Sequence, residues 1–267
     1  MDRRIGILGL GTMGAAIARG LVGSLPAGSI AATRRAGEST PPDGDPPGVQ
    51  LVADNRALVE RSDVIVLAVK PHQVQQILED LAPNLAGKVL VSICAAISTD
   101  DLQRWAGSKT VVVRTMPNTP CLIGRGMTVI ARTTQTQPEQ LALAESLFAP
   151  LGRTAVLDES LLDAVTGLSG CGPAYVFLII EALSEAGVKL GIDRRTATLL
   201  AAQTLLGGAE MVLQRGEHPA QLKDEVTTPA GCTVDALMVL EDGRLRSTLI
   251  RGVVAAAERS RELRRLP

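Results

Sequence analysis

The sequence predicts an N-terminal α/β domain with a mainly parallel sheet, joined to an all-helical C-terminal domain. Three observations lead there. Short apolar runs rich in β-branched residues alternate with helix-periodic segments up to about residue 158, the pattern of successive βαβ units. No strand-like run follows that point. Long apolar-periodic stretches fill the remainder, and Gly191, Gly216 and Gly243 sit where they should stop, since glycine commonly follows a helix end. The expected domains are therefore residues 1–158 and 159–267.

In chain order, Ile5–Leu8 is the first strand and Ala15–Val22 the first helix. Ser29–Thr33 reads as the second strand. The proline-rich Pro41–Pro47 segment reads as a loop. Val49–Ala53 reads as a short strand and Arg56–Arg61 as a short helix. Asp63–Val69 and Lys88–Cys94 are almost wholly apolar, as strands buried on both faces are. A helix over Val74–Leu81 separates them. Ser98, ahead of Asp100 and Asp101, caps a helix running towards Trp105. Val111–Arg114, Met127–Ala131 and Thr154–Leu157 are further short strands, with a helix at Glu139–Phe148. The second half reads as helices at Leu161–Thr166, Ala174–Leu190, Arg195–Arg215, Leu222–Val226, Val234–Leu240 and Arg244–Leu263. These carry more apolar residues than a small bundle hides alone, which predicts a tightly packed or helix-exchanging homodimer.

Composition narrows the function. Lys and Arg number 27 against 28 Asp and Glu, so the basic excess of an electrostatic nucleic-acid binder is missing. One Trp, one Tyr and two Phe are too few for a base-stacking platform. Cys94, Cys121, Cys171 and Cys232 are far apart and away from the two histidines, so no metal site is expected. Reduced thiols in a cytoplasmic protein are the plainer reading. The apolar run after Arg4 is short, glycine-punctuated and without a small-residue cleavage site. No uninterrupted run of 18 apolar residues occurs, and Glu181 ends the one at Tyr175–Ile180; no membrane span is expected.

Gly9-Leu10-Gly11-Thr12-Met13-Gly14 follows the first strand and opens the first helix. That is the dinucleotide fingerprint of a Rossmann-type domain in its proper context. The first glycine permits the tight turn, the second lets the backbone approach a diphosphate, and the third lets helix pack on strand. At the end of the second strand, NAD sites carry a carboxylate for the ribose 2′-hydroxyl. Here Thr33-Arg34-Arg35 stands instead. Two guanidiniums and a hydroxyl suit a 2′-phosphate, so NADPH is the expected cofactor, with NADH as a second. The plainer alternative is a pair of solvated arginines in an arginine-rich chain. Asn55, Ala68-Val69-Lys70-Pro71, Cys94 and Ala96 fall at strand ends of the same predicted edge, where such sheets bind ligands.

Two motifs mark the helical half. Asp163–Tyr175 carries three glycines and Pro173 between helices. Leu222–Thr233 is a polar, small-residue turn leading into an apolar helix. Backbone N–H groups of Gly231, Cys232 and Thr233 would point outward there as an anion site; a simple well-capped helix start is the alternative. With the Gly9–Gly14 loop, Ala68–Pro71 and Arg114-Thr115-Met116-Pro117-Asn118-Thr119-Pro120, these motifs resemble the pyrroline-5-carboxylate reductase family over nearly the whole chain. The resemblance implies a Rossmann domain with a helical dimerisation domain, often assembled into a ring of dimers. It implies NAD(P)H reduction of 1-pyrroline-5-carboxylate to L-proline. It also implies that Thr233 bonds the ring nitrogen as the catalytic group, that Cys232 and Thr233 N–H groups hold the carboxylate, that Glu225 contacts substrate and cofactor, and that Glu159 lies near the substrate loop. The chain departs from the family at two places. Thr228-Pro229-Ala230-Gly231 stands for the usual Ser-Pro-Gly-Gly, and Cys171 for a serine. Ala230 costs energy if that position needs a positive φ.

Two other readings compete. The GLGTMG start also resembles β-hydroxyacid dehydrogenases, whose helical lysine acts as acid and base; Lys189 and Lys223 are the lysines beyond residue 109. A non-enzymatic NADP(H)-sensing protein would keep the glycine loop without needing Leu222–Thr233.

Overall fold

A computed structural model describes residues 3–35, 40 and 44–265. Pro41–Asp43 of the expected loop, and Glu38, lie outside the described residues. The chain forms two compact units: one reaches Cys171 and resumes at Ala255, the other is Gly172–Val254.

The first unit opens with β1 (Ile5–Leu8), α1 (Thr12–Val22), β2 (Ile30–Thr33), β3 (Gln50–Leu51) and α2 (Asn55–Glu60). β4 (Val64–Leu67), α3 (Val74–Leu85), β5 (Val89–Ser92), α4 (Thr99–Ala106) and β6 (Val111–Met116) continue it. β7 (Gly126–Arg132), α5 (Pro138–Phe148), β8 (Gly152–Asp158) and α6 (Leu162–Val165) complete its run. The strands form one sheet in the order β3-β2-β1-β4-β5-β6-β7-β8. All neighbours pair in parallel except β6 and β7.

Alternation of side chains across the pleat splits the core into two layers. Ile5, Ile7, Val64, Val66, Val91 and Val113 face α1 and α5, with Ile17, Leu21, Leu147 and Phe148 packed on them. Leu8, Ile65, Leu67 and Leu90 face the other side, against Leu58, Leu78, Leu85 and Leu102. Strands buried on both faces are therefore uniformly apolar, which is why β1, β4 and β5 were legible.

Two expectations are adjusted. β3 shrinks to two exposed residues, because it is an edge strand squeezed between Pro46-Pro47 and Asp54, whose side chain caps α2. The helix expected over 74–81 continues to Leu85, which completes a buried stripe of Val74, Leu78, Leu81 and Leu85; Pro83 falls on the exposed face of its last turn.

The second unit holds α7 (Gly172–Lys189), α8 (Arg194–Arg215), α9 (Pro219–Glu225) and α10 (Cys232–Asp242). Gly191 and Gly216 take positive φ past α7 and α8, as expected of helix stops. Gly243 does not: its φ is −69°, and the left-handed residue is Arg244 at 56°. α11 (Leu245–Arg265) closes the chain, and its final turns belong to the first unit. There Ser260 donates to buried Asp163 at 2.9 Å, and Arg264 pairs with the same carboxylate at 3.0 Å.

The absence of an uninterrupted apolar run understates two segments. The helical run Glu159–Lys189, 31 residues including a π turn at Thr166–Gly170, and Arg194–Arg215 are long and apolar enough to cross a bilayer by length and composition, and little of either is buried in the single chain. Phe177, Leu178, Leu199 and Leu206 are at least half exposed.

Candidate functional site

The sheet order reverses between β1 and β4, the switch point where doubly wound sheets bind ligands beyond their strand ends. Gly9 follows β1 with φ of 97° and closes the turn. A Cβ on Gly14 would stand 2.1 Å from the Gly9 carbonyl oxygen, so only glycine lets α1 start this close to the strand. A Cβ on Gly11 would meet nothing within 4 Å. Gly11 is thus not demanded by packing; its open face sits at the N-cap of α1, which has no side-chain cap and no acid in its first turn. Unspent N–H groups, a positive helix end and empty space together fit a diphosphate.

The other predicted residues of this edge gather at neighbouring strand ends. Thr33 Oγ1 donates to Asn55 Oδ1 at 2.7 Å, joining the end of β2 to the start of α2. Arg34 is paired with Asp45, and Arg35 is exposed. Ala68, Val69 and exposed Lys70 leave β4, and Pro71 opens a 3₁₀ turn. Cys94 lies beneath the edge. Its thiol donates to the Val69 carbonyl at 3.3 Å, and burial pushes its pKa up to about 11, so it is a neutral donor rather than a thiolate. Ala96 holds φ of 60°, and strained non-glycine residues of this kind concentrate at functional sites.

Glu159 is anchored by two elements of the first unit. Its Oε1 accepts from Arg114 Nη1 at 3.0 Å and from the Thr99 backbone N–H at 2.6 Å. Asn118, from the motif after β6, donates to the Ser169 carbonyl at 3.1 Å and accepts from the Met127 N–H at 2.8 Å.

The second unit carries the turn between α9 and α10. Gly231 is the N-cap of α10, again without a side-chain cap. A Cβ there would lie 2.4 Å from Thr228 Oγ1, so glycine is required by contact. The Gly231 N–H donates to the Thr228 carbonyl at 3.0 Å. This corrects the expectation that Gly231 offers its N–H outward: the turn itself consumes it. The Cys232 and Thr233 N–H groups and the Thr233 hydroxyl have no protein acceptor among the described residues. By contrast, Thr227 Oγ1 is spent on the Lys223 carbonyl at 2.8 Å. Three donors are therefore left without a protein acceptor at one helix N-terminus.

Ala230 sits at φ of 58°, so the departure from the family pattern stores strain. Ala230→Gly is expected to raise stability by about 1 kcal/mol, read as a higher urea midpoint at unchanged slope. Glu225 ends α9 and is gripped by Arg215 through contacts of 2.6 and 2.7 Å. Arg215 holds its carboxyl below the usual range. This partner was invisible in the sequence, since nine residues and a helix break separate the two. Lys189 and Lys223, which a dehydrogenase reading would need, are exposed. Among the described residues no cluster of His, Cys, Asp and Glu could hold a metal ion.

Comparison with known proteins matches both parts. The family described as "Pyrroline-5-carboxylate reductase dimerisation" matches residues 159–263, and "NADP oxidoreductase coenzyme F420-dependent" matches residues 4–96. The pyrroline-5-carboxylate reductase of Glycine max is 44% identical over 97% of this chain and 95% of its own; that of Arabidopsis thaliana is 42% identical over the same shares. Among solved structures, the Coxiella burnetii pyrroline-5-carboxylate reductase superposes with a TM-score of 0.89 at 36% identity, covering 98% of this chain and 99% of that one. The Plasmodium falciparum pyrroline carboxylate reductase, solved with NADP bound, gives 0.88 at 32% identity and 98% of each chain.

Proposed function

This chain belongs to the pyrroline-5-carboxylate reductase family, and from that premise we propose that the turn opening α10 holds its substrate. The chain reduces 1-pyrroline-5-carboxylate to L-proline with NADPH or NADH, the last step of proline biosynthesis. The observation that carries the site is that the Cys232 N–H, the Thr233 N–H and the Thr233 hydroxyl are all unspent at one helix start.

The two N–H groups hold the substrate carboxylate. The Thr233 hydroxyl donates to the ring nitrogen, fixing the plane of the C=N bond and supporting the nitrogen as it becomes an amine. When bound, the reduced nicotinamide supplies the hydride that the ring carbon accepts. As the hydride adds, the ring nitrogen takes one proton, delivered from water; the imine is itself basic, so no stronger acid than a hydroxyl is needed beside it, and positioning carries most of the rate. Arg215 orients Glu225 towards its contacts with substrate and cofactor. Gly231 serves by its lack of a side chain.

On the nucleotide side, the Gly9–Gly14 loop holds the diphosphate. Thr33, Arg34 and Arg35, with Asn55, take the adenosine ribose and its 2′-phosphate. Ala68, Val69, Lys70, Pro71, Cys94 and Ala96 line the rest of the strand edge. The exposed apolar helices of the second unit are covered by a second copy in a homodimer, repeated in a ring, in the cytoplasm, with neither nucleic acid nor membrane as partner.

Gly11→Ala tests this reading. Its Cβ meets no protein atom within 4 Å, so melting is expected to be unchanged. Calorimetric NADPH affinity and pyrroline-5-carboxylate turnover should each fall by about tenfold or more as the diphosphate loses its close approach. Undiminished NADPH affinity would remove the loop from the site.

A further inference from the structure

We propose that Asp45 sets the balance between NADPH and NADH, by bringing to the end of β2 the ribose-binding carboxylate that β2 itself lacks. The inference rests on reading the strand edge around Gly9–Gly14 as the nucleotide site. In such sites a carboxylate at this place accepts from the 2′-hydroxyl of NADH, and an arginine takes the 2′-phosphate of NADPH. The end of β2 offers Arg34 and Arg35 and no acid.

The acid arrives from the following loop. Asp45 Oδ1 accepts from Arg34 Nη1 at 2.5 Å and Oδ2 from Nη2 at 3.3 Å. The loop is fastened beside it, because Arg19 of α1 donates to the Gly44 carbonyl at 2.5 Å, and Gly44 turns with φ of 76°. The Arg34 and Asp45 side chains are 19% and 37% exposed, so the pair is lodged against the edge yet open to a ligand. The Thr33 hydroxyl proton is already given to Asn55, and this ion pair stands at the same strand end as a charged group open to the ribose.

The two cofactors ask opposite things of the pair. A neutral 2′-hydroxyl donates to Asp45 and leaves the Arg34 contact intact. A 2′-phosphate draws the Arg34 guanidinium to itself, and Asp45, of like charge, opposes it. Asp45 thereby lends affinity to NADH and withholds some from NADPH.

Calorimetric titration of the whole chain with 2′,5′-ADP and with 5′-AMP isolates this group, because the two probes differ only in the 2′-phosphate, lack the nicotinamide and need no turnover. Asp45→Asn should bind 2′,5′-ADP about tenfold more tightly and 5′-AMP several-fold more weakly, the scale of one charged contact. Asp45→Glu, which restores the carboxylate, should return the affinity ratio towards that of the unaltered protein. If Asp45→Asn leaves the ratio within twofold, or weakens 2′,5′-ADP, Asp45 is only a support for Arg34 and the proposal is overturned. If neither probe binds the unaltered protein, the nucleotide-edge reading fails, and the proposal with it. Equal melting temperatures of the two variants keep these outcomes free of folding effects.

Discussion

Thr233→Val should lower kcat about 10²–10³-fold, the loss typical of one donor aimed at developing charge, while Thr233→Ser stays close to the unaltered enzyme. Valine keeps the shape and the β-branch of threonine and deletes only the hydroxyl. If Thr233 merely satisfied local backbone, valine would cost about 1 kcal/mol of stability, as a lost cap does, and spare kcat. The local geometry argues against that. Gly231, two residues earlier, is the N-cap, and the Thr233 hydroxyl has no acceptor among the described residues. Its proton has no partner to lose on folding, so melting should hardly move. Steady-state kcat and thermal melting of both variants separate the roles: a valine variant that melts lower and turns over normally makes Thr233 structural.

The parts legible in sequence are those with one strong period or one forced conformation. β1, β4 and β5 are near-continuous apolar runs buried on both faces. Gly9 and Gly14 are fixed by a positive φ and by a 2.1 Å approach. The antiparallel step between β6 and β7 was hidden by the expected strand bounds, which leave twelve residues between Arg114 and Met127, enough for a crossover. Only nine residues separate Met116 from Gly126, too few for the crossover that a parallel pair needs. Ion pairs between separate elements leave no periodic trace. Arg34 with Asp45 and Arg215 with Glu225 could be read only from coordinates. Glu159 is a third case, since its partner Arg114 is 45 residues away.

That partnership makes a large loss of stability the expected result of Glu159→Ala. Arg114 is 2% exposed within β6, and its guanidinium pairs with a Glu159 side chain that is 19% exposed. The same Oε1 accepts the Thr99 N–H at the start of α4, so one carboxylate joins α4, β6 and the segment after β8. Alanine leaves a buried cation without this counter-charge. Breaking such a pair costs about 3–5 kcal/mol, and solvent access to Glu159 places the expected loss near about 3 kcal/mol. Glu159→Gln keeps an acceptor and loses only the charge, so about half that loss is expected, in the range of one charged hydrogen bond. Urea unfolding measures both. The kinetic result decides between the two roles. A carboxylate that orders the fold leaves KM for the imine within about threefold in the folded variants, well under the tenfold that 1.4 kcal/mol represents. A carboxylate that binds substrate raises KM beyond tenfold and leaves the urea midpoint in place. Because Oε1 is already shared between Arg114 and Thr99, the expected result is a lower midpoint for Glu159→Ala with KM nearly unmoved.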